Sequence, residues 1–262
     1  MPKFPADLKN ARVLISNDDS VNAEGIKVLE EIISAITPHV WVVAPETQMS
    51  AASHSLTIHS PLRLREIDKR HYAVSGTPTD SVMMGVMQVM KDFRPDLVIS
   101  GINHGQNAAD DVTYSGTIAA AIEACLMGIP AVACSQDFDE ITGRPDWTIA
   151  REYLPKILHK LAGRGCDNFI VMNVNFPKPR AGLVPKIAVV PQGHYYMTDQ
   201  AMVPAVDPRG KPYYWIGPPP RRTAEDLSYD GGALTAGHVT LTPLSLNLTH
   251  HPTMKSLQEV FA

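Results

Sequence analysis

The sequence predicts a doubly wound α/β fold: a mostly parallel sheet covered by helices on both faces, with a C-terminal hairpin extension. Three observations predict it. Short, near-continuous apolar runs alternate with stretches of helical period, which is the pattern of strands buried on both faces. The apolar runs are each bounded by polar or glycine-containing loops, as buried strands require. Composition then shifts after about residue 192, where tyrosine and proline become dense.

The first strand is Val13-Leu14-Ile15 with Ser16. EGIKVLEEIISAI follows, with Ile26, Leu29, Ile32, Ile33 and Ile36 at helical spacing. VWVVAP is the second strand, and PLRLREI with HYAVSG reads as a further extended pair. Thr77-Pro78-Thr79-Asp80 opens a helix. Thr77 suits the N-cap, Pro78 the first helical position, and Asp80 the return arm of a capping box. Val82, Met83, Val86, Met87 and Met90 supply its apolar face, with methionine as core filler. DLVIS is a buried strand, TIAAAIEACLM a helix ended by Gly128 and Pro130, and AVACS a strand. A helix over residues 147–161, the strand NFIVMNVNF and the strand KIAVVPQG continue the alternation. YYMTDQAMVPAV, DPRGK and PYYWIG read as a long hairpin reaching for another subunit or lying on the surface. HVTLTPLSLNLT is a last strand and MKSLQEVFA a terminal helix. The division expected is an α/β catalytic core over 1–190 and a hairpin and oligomerisation extension over 191–262 that returns to the core, the two counting as one domain or two.

The chain has 262 residues, 44% hydrophobic and 19% charged, enough for a sizeable core. A net charge of −4 gives no basic footprint for a nucleic-acid duplex. No apolar run is long enough to span a bilayer, and the N-terminal residues lack the apolar stretch of a signal peptide. Three cysteines, Cys125, Cys134 and Cys166, lack metal-site spacing and read as reduced thiols of a cytoplasmic protein.

Ligands of open α/β sheets bind beyond the carboxyl ends of the strands. Asp18 and Asp19 follow the first strand, Ser50 and Ser53 the second, and Asn103, His104 and Asn107 follow DLVIS. Nearly all of these offer oxygen, and hard oxygen donors favour Mg²⁺ or Mn²⁺ over zinc. A divalent cation would offset the repulsion between the adjacent carboxylates. An acidic pair at a strand end also serves as a cap or a turn; its coincidence with Ser50 and Asn103 favours the metal. Tyr114-Ser115-Gly116-Thr117 opens a helix whose first N–H groups and dipole suit an anion, or else form a plain serine cap. Neither GxxxxGK[ST] nor a GxGxxG after the first strand is present. Asp110 and Asp111 read as loop-turning residues, and His54 and His104 as structural or solvent-facing.

The blocks NDDSVNAEG, VVAPETQMSAASHSLT, SGTPTDSV, PDLVISGINHGQN and YSGTIAAAIEA resemble, in order, those of the SurE survival-protein family, covering roughly residues 11–135. GHVTLTPLSLNLT resembles its C-terminal block more loosely. The resemblance implies a Rossmann-like α/β/α core and one divalent metal per subunit. It implies hydrolysis of nucleoside 5′- and 3′-monophosphates, with short-chain polyphosphate as a further substrate. It also implies a homodimer or homotetramer that exchanges C-terminal elements. Carried over by motif position, Asp18, Asp19, Ser50 and Asn103 would hold the metal. Asn107, Ser115, Gly116 and Thr117 would face the phosphate. In the metal-assisted hydrolysis this implies, Asp18 or Asp19 could accept a proton as general base. Ser20 and Ala51 stand where the family has glycine, Glu24 where it has proline, and His54 where it has asparagine. Two rival classes follow from the residues. One is a phosphoacceptor signalling module, disfavoured because Gln136 stands where such modules carry lysine. The other is a nucleotide-binding protein without turnover.

Overall fold

The computed structural model describes residues 3–165, 170–194, 202–217 and 226–262. Nine strands form one sheet in the order β3-β4-β2-β1-β5-β6-β7-β11-β8. They are β1 (Val13–Ser16), β2 (Val40–Pro45), β3 (Leu64–Glu66), β4 (His71–Val74), β5 (Leu97–His104), β6 (Ala131–Gln136), β7 (Ile170–Phe176), β8 (Ile187–Val189) and β11 (Val239–Ser245). The run β4-β2-β1-β5-β6-β7 is parallel throughout. Only β3 against β4 and β11 against β7 are antiparallel, so the expectation of a mostly parallel sheet holds.

Side-chain alternation along the strands builds two cores. Val13 and Ile15 of β1 face one side with Val42, Ile99 and Val174. There they meet α1 (Glu24–Ser34) through Ile26, Leu29, Ile32 and Ile33, and α4 (Thr148–Leu161) through Tyr153, Leu154 and Ile157. Leu14 faces the other side with Val43, Val98 and Ala133. It meets α2 (Pro78–Met84) through Val82 and α3 (Gly116–Leu126) through Ile118, Ala121 and Cys125. The result is three layers, α/β/α.

The capping box at α2 is present in full: Asp80 N–H donates to Thr77 Oγ1 (3.1 Å), and Thr77 N–H donates to Asp80 Oδ2 (2.9 Å). After Met84 the helix widens into a π-helical turn, Gly85–Val89. Met90 is buried beneath it, but Met87 is half exposed, which corrects the expected methionine face. The wider turn rotates residues past Gly85 off a regular helical stripe. A short helix missing from the sequence reading, α5 (Asp230–Thr235), precedes β11.

The expected hairpin forms as β9 (Met202–Val206) against β10 (Pro212–Ile216), a separate two-stranded sheet. The start of its first arm and the Pro218-Pro219-Pro220 run lie outside the described residues, as does Cys166. The terminal helix α6 (His251–Val260) buries none of its residues. No described helix is long and apolar enough to cross a membrane.

Candidate active site

At the carboxyl ends of β1, β2 and β5 the loops enclose a cavity of about 1110 Å³. Asp18, Asp19, Ser50, Asn103, Asn107 and Ser115 all line it. The structure therefore brings together the acidic pair, the serine and the asparagine expected from three separate loops.

Each is held by local bonding. Asp18 is 4% exposed, and its Oδ1 accepts from Thr117 Oγ1 at 2.5 Å. Its backbone carbonyl accepts from Met49 N–H (2.8 Å), which fastens the Ser50 loop to the acidic pair. That loop is tied again at α2, where Thr57 Oγ1 donates to Asp80 Oδ2 (2.6 Å) and Thr77 Oγ1 to the Ser55 carbonyl (2.8 Å). Asp19 Oδ2 accepts the backbone N–H of His104 (3.0 Å). Asn103 Nδ2 donates to the Gly105 carbonyl (2.9 Å), which leaves the amide oxygen as its free acceptor. β5 reaches this geometry through Gly101, at φ +131°, where a Cβ would lie 2.3 Å from the Cys134 carbonyl oxygen.

The electrostatics follow from burial. Asp18 is pushed up to about 6, first by burial and then by the neighbouring Asp19 charge, against the Thr117 hydrogen bond. Burial also raises Asp19, against the His104 N–H. A positive charge placed between them would favour the ionised form of both carboxylates. Two carboxylates, a hydroxyl and an amide oxygen suit a hard divalent cation. The set has only two carboxylates, and among the described residues no group of three His, Cys, Asp or Glu is arranged to hold a metal.

Across the cavity, Ser115 is the N-cap of α3, its Oγ accepting from Ile118 N–H (3.1 Å). Gly116 lets the helix start press against Asp18: a Cβ there would lie 2.7 Å from Asp18 Cβ. Gly116 and Thr117 do not line the cavity themselves, and the Thr117 hydroxyl is spent on Asp18. Asn107 reaches the wall, but its Nδ2 donates to Ser135 Oγ (2.8 Å) and its carbonyl accepts from Asn173 and Asn175. In this arrangement Asn107 pins the loop to β6 and β7. His104 lines the cavity, whereas His54 pairs with Glu123 at 3.0 Å and does not. Asp111 lines the cavity, and Asp110 pairs with His194 at 3.1 Å.

Sequence reasoning missed Asp230. It is fully buried and accepts backbone N–H groups from Ala109 (3.0 Å), Gly193 (2.8 Å) and Gly231 (2.7 Å). Gln192 Nε2 donates to the Ala109 carbonyl (2.8 Å). The turn between Asn107 and Ser115 is thus clamped from the C-terminal region. An acidic residue ahead of two glycines gives no local sign of partners so distant in sequence.

Fold and site define the class: a three-layer α/β protein with an acidic, oxygen-lined cavity at the strand ends and a helix N-terminus beside it. The chain belongs to the SurE family: the family model described as Survival protein SurE matches residues 13–199. It is 47% identical to the 5′-nucleotidase SurE of Paramagnetospirillum magneticum over 98% of this chain and 99% of that one. It is 44% identical to the 5′-nucleotidase SurE of Parvibaculum lavamentivorans over 96% and 91%. The crystal structure of SurE from Aquifex aeolicus superposes with a TM-score of 0.81 at 35% identity, covering 95% of this chain and 99% of that one.

Proposed function

We propose that this chain is a metal-dependent phosphatase that hydrolyses nucleoside 5′- and 3′-monophosphates to nucleoside and phosphate, with short-chain polyphosphate as a further substrate. The observation that carries this reading is the convergence of Asp18, Asp19, Ser50 and Asn103 on one cavity beside the N-terminus of α3. Those four side chains would hold one divalent cation, Mg²⁺ or Mn²⁺. Such a cation, when bound, supplies a charge that polarises a phosphoryl oxygen and acidifies a coordinated water. The protein does the rest. Asp18 or Asp19 accepts the proton of the attacking water at a carboxylate oxygen. The Ser115 hydroxyl, at the cavity wall where α3 begins, donates to a phosphate oxygen, whose charge shifts in the transition state. Thr117 holds Asp18 in position, and Asn107 fixes the loop between them.

The signalling alternative would need a lysine where Gln136 stands. Gln136 Nε2 is bound to the carbonyls of Asp137, Phe176 and Pro177. Cys125 and Cys134 are both buried, in keeping with the reading of reduced thiols in a cytoplasmic protein. The hairpin exposes Tyr214, Trp215 and Ile216, α6 exposes Leu257 and Val260, and Phe261 just past it is exposed too, in keeping with a homodimer or homotetramer built through residues 191–262. The experiment is phosphate release from nucleoside monophosphates by chelator-stripped protein. Turnover should return on adding Mn²⁺ or Mg²⁺, and binding of nucleotide without phosphate release would leave the non-hydrolytic class standing.

A further inference from the structure

The oxygen cluster accounts for only part of the cavity wall. Another part comes from the connection between β6 and α4, through Phe138, Arg144, Pro145 and Trp147. This connection is a built turn. Phe138 and Pro145 form an antiparallel bridge. Asp139 Oδ1 accepts from Ile141 N–H (3.0 Å) and Thr142 N–H (2.9 Å), and Gly143 N–H donates to the Asp139 carbonyl (2.8 Å). Trp147 is 9% exposed and packs over Gly25, where a Cβ would come within 3.1 Å of its ring. The Phe138 ring meets the His104 ring edge-on, 5.0 Å between centroids. His104 in turn donates its backbone N–H to Asp19. The aromatic wall therefore begins one residue away from the acidic pair. Among the described residues lining the cavity, Arg144 is the only lysine or arginine.

We propose that this turn is the nucleoside subsite: Phe138 takes one face of the base, and Arg144 donates to acceptor atoms on the base edge. An aromatic ring stacks on any base, because every base has a π face. A guanidinium fork matches the paired acceptors O6 and N7 of guanine, so the subsite prefers GMP to UMP. The assignment rests on the nucleotidase reading above.

The test is kcat/KM with Mn²⁺ for GMP, for UMP and for ribose 5-phosphate, a phosphate ester with no base. It is run on the wild type, Phe138→Ala, Phe138→Tyr and Arg144→Ala. The ratio of GMP to ribose 5-phosphate corrects for any disturbance passed through His104 to the reacting centre. Phe138→Ala should lower that ratio by about tenfold, mainly through KM, and Phe138→Tyr should restore most of it. Arg144→Ala should reduce the preference for GMP over UMP by about tenfold. Equal losses on GMP and ribose 5-phosphate, or unchanged ratios, would overturn the subsite while leaving the phosphatase intact. A wild type that cleaves none of the three esters overturns the nucleotidase reading itself, and the subsite with it.

Discussion

Replacing Asp18 by asparagine should stabilise the metal-free protein while abolishing its activity. Asp18 is 4% exposed, and its carboxyl is raised from 3.8 to about 6, with burial the main cause. A folded value above the unfolded one means the native state holds its proton longer. Stability therefore falls as pH rises from about 4 to about 6, and the loss persists above that range. Holding the buried charge at pH 7 costs about 3 kcal/mol. Asparagine removes the charge, and its amide oxygen can still accept from Thr117. In chelator at pH 7 the variant should unfold about 1–3 kcal/mol later than the wild type and lack the slope between pH 4 and 6. Mn²⁺ at a hundredfold over its Kd should add about 2.7 kcal/mol to the wild type and much less to the variant. Urea unfolding with chelator and with Mn²⁺, beside phosphate release, reads all three effects. A variant less stable than the wild type in chelator at pH 7, or one turning over at wild-type rate, would refute the reasoning.

Ser20→Gly should raise stability by about 1 kcal/mol in thermal unfolding, because Ser20 sits at φ +94°, where glycine is favoured. Gly116→Ala should weaken Mn²⁺ binding at least about tenfold by titration calorimetry, since the new Cβ would displace either α3 or the Asp18 carboxylate 2.9 Å away. Asp230→Ala leaves three backbone donors unmatched and should cost about 3 kcal/mol or more in urea unfolding. It should also slow phosphate release, although Asp230 does not line the cavity. Burial lowers the His71 pKa, but hydrogen bonds to Asp68 and Glu30 outweigh it, and the net shift is upward. His71 should therefore stabilise the fold fully below about pH 6.5 and less as pH rises through its folded value, a slope that His71→Gln removes from urea midpoints.

What the sequence made legible was local or periodic. Leu14 and Ile15 announce a buried strand because both faces of the sheet are covered, and Thr77 and Asp80 announce a helix start because a capping box closes within four residues. That Asp18, Asp19, Ser50 and Asn103 share one cavity was legible because strand ends gather in one place in an open α/β sheet. Long-range pairing was not. Nothing near β11 says that it lies antiparallel to β7, and nothing near Asp230 names Ala109, 121 residues away, as its partner. The Asn107, Ser135, Asn173 and Asn175 network escaped for the same reason. An asparagine in a strand looks like any other until its neighbours in the sheet are known.

The backbone gives an independent pointer to the same site. Among the described residues, those other than glycine at positive φ are Ser20, Ala51, Ser53 and Ala109. Ser20 follows the acidic pair, Ala51 follows Ser50, and Ala109 lies between Asn107 and Ser115. Such conformations cost about 1–3 kcal/mol each and persist only where their surroundings overdetermine them. Here the surroundings are visible. Asn17 Nδ2 binds the Ser20 carbonyl at 2.8 Å, Ser53 donates to the Tyr114 and Thr113 carbonyls, and Asp230 with Gln192 holds Ala109. At Ser20 and Ala51 a residue with a Cβ holds a conformation that glycine adopts most easily. The turn is thus kept although the residue that adopts it most easily is absent. A fold selected for stability alone has no reason to hold these turns at serine and alanine. A cavity into which Asp18, Asp19 and Ser50 must all point does, because relaxing either turn would swing one of these side chains out of it.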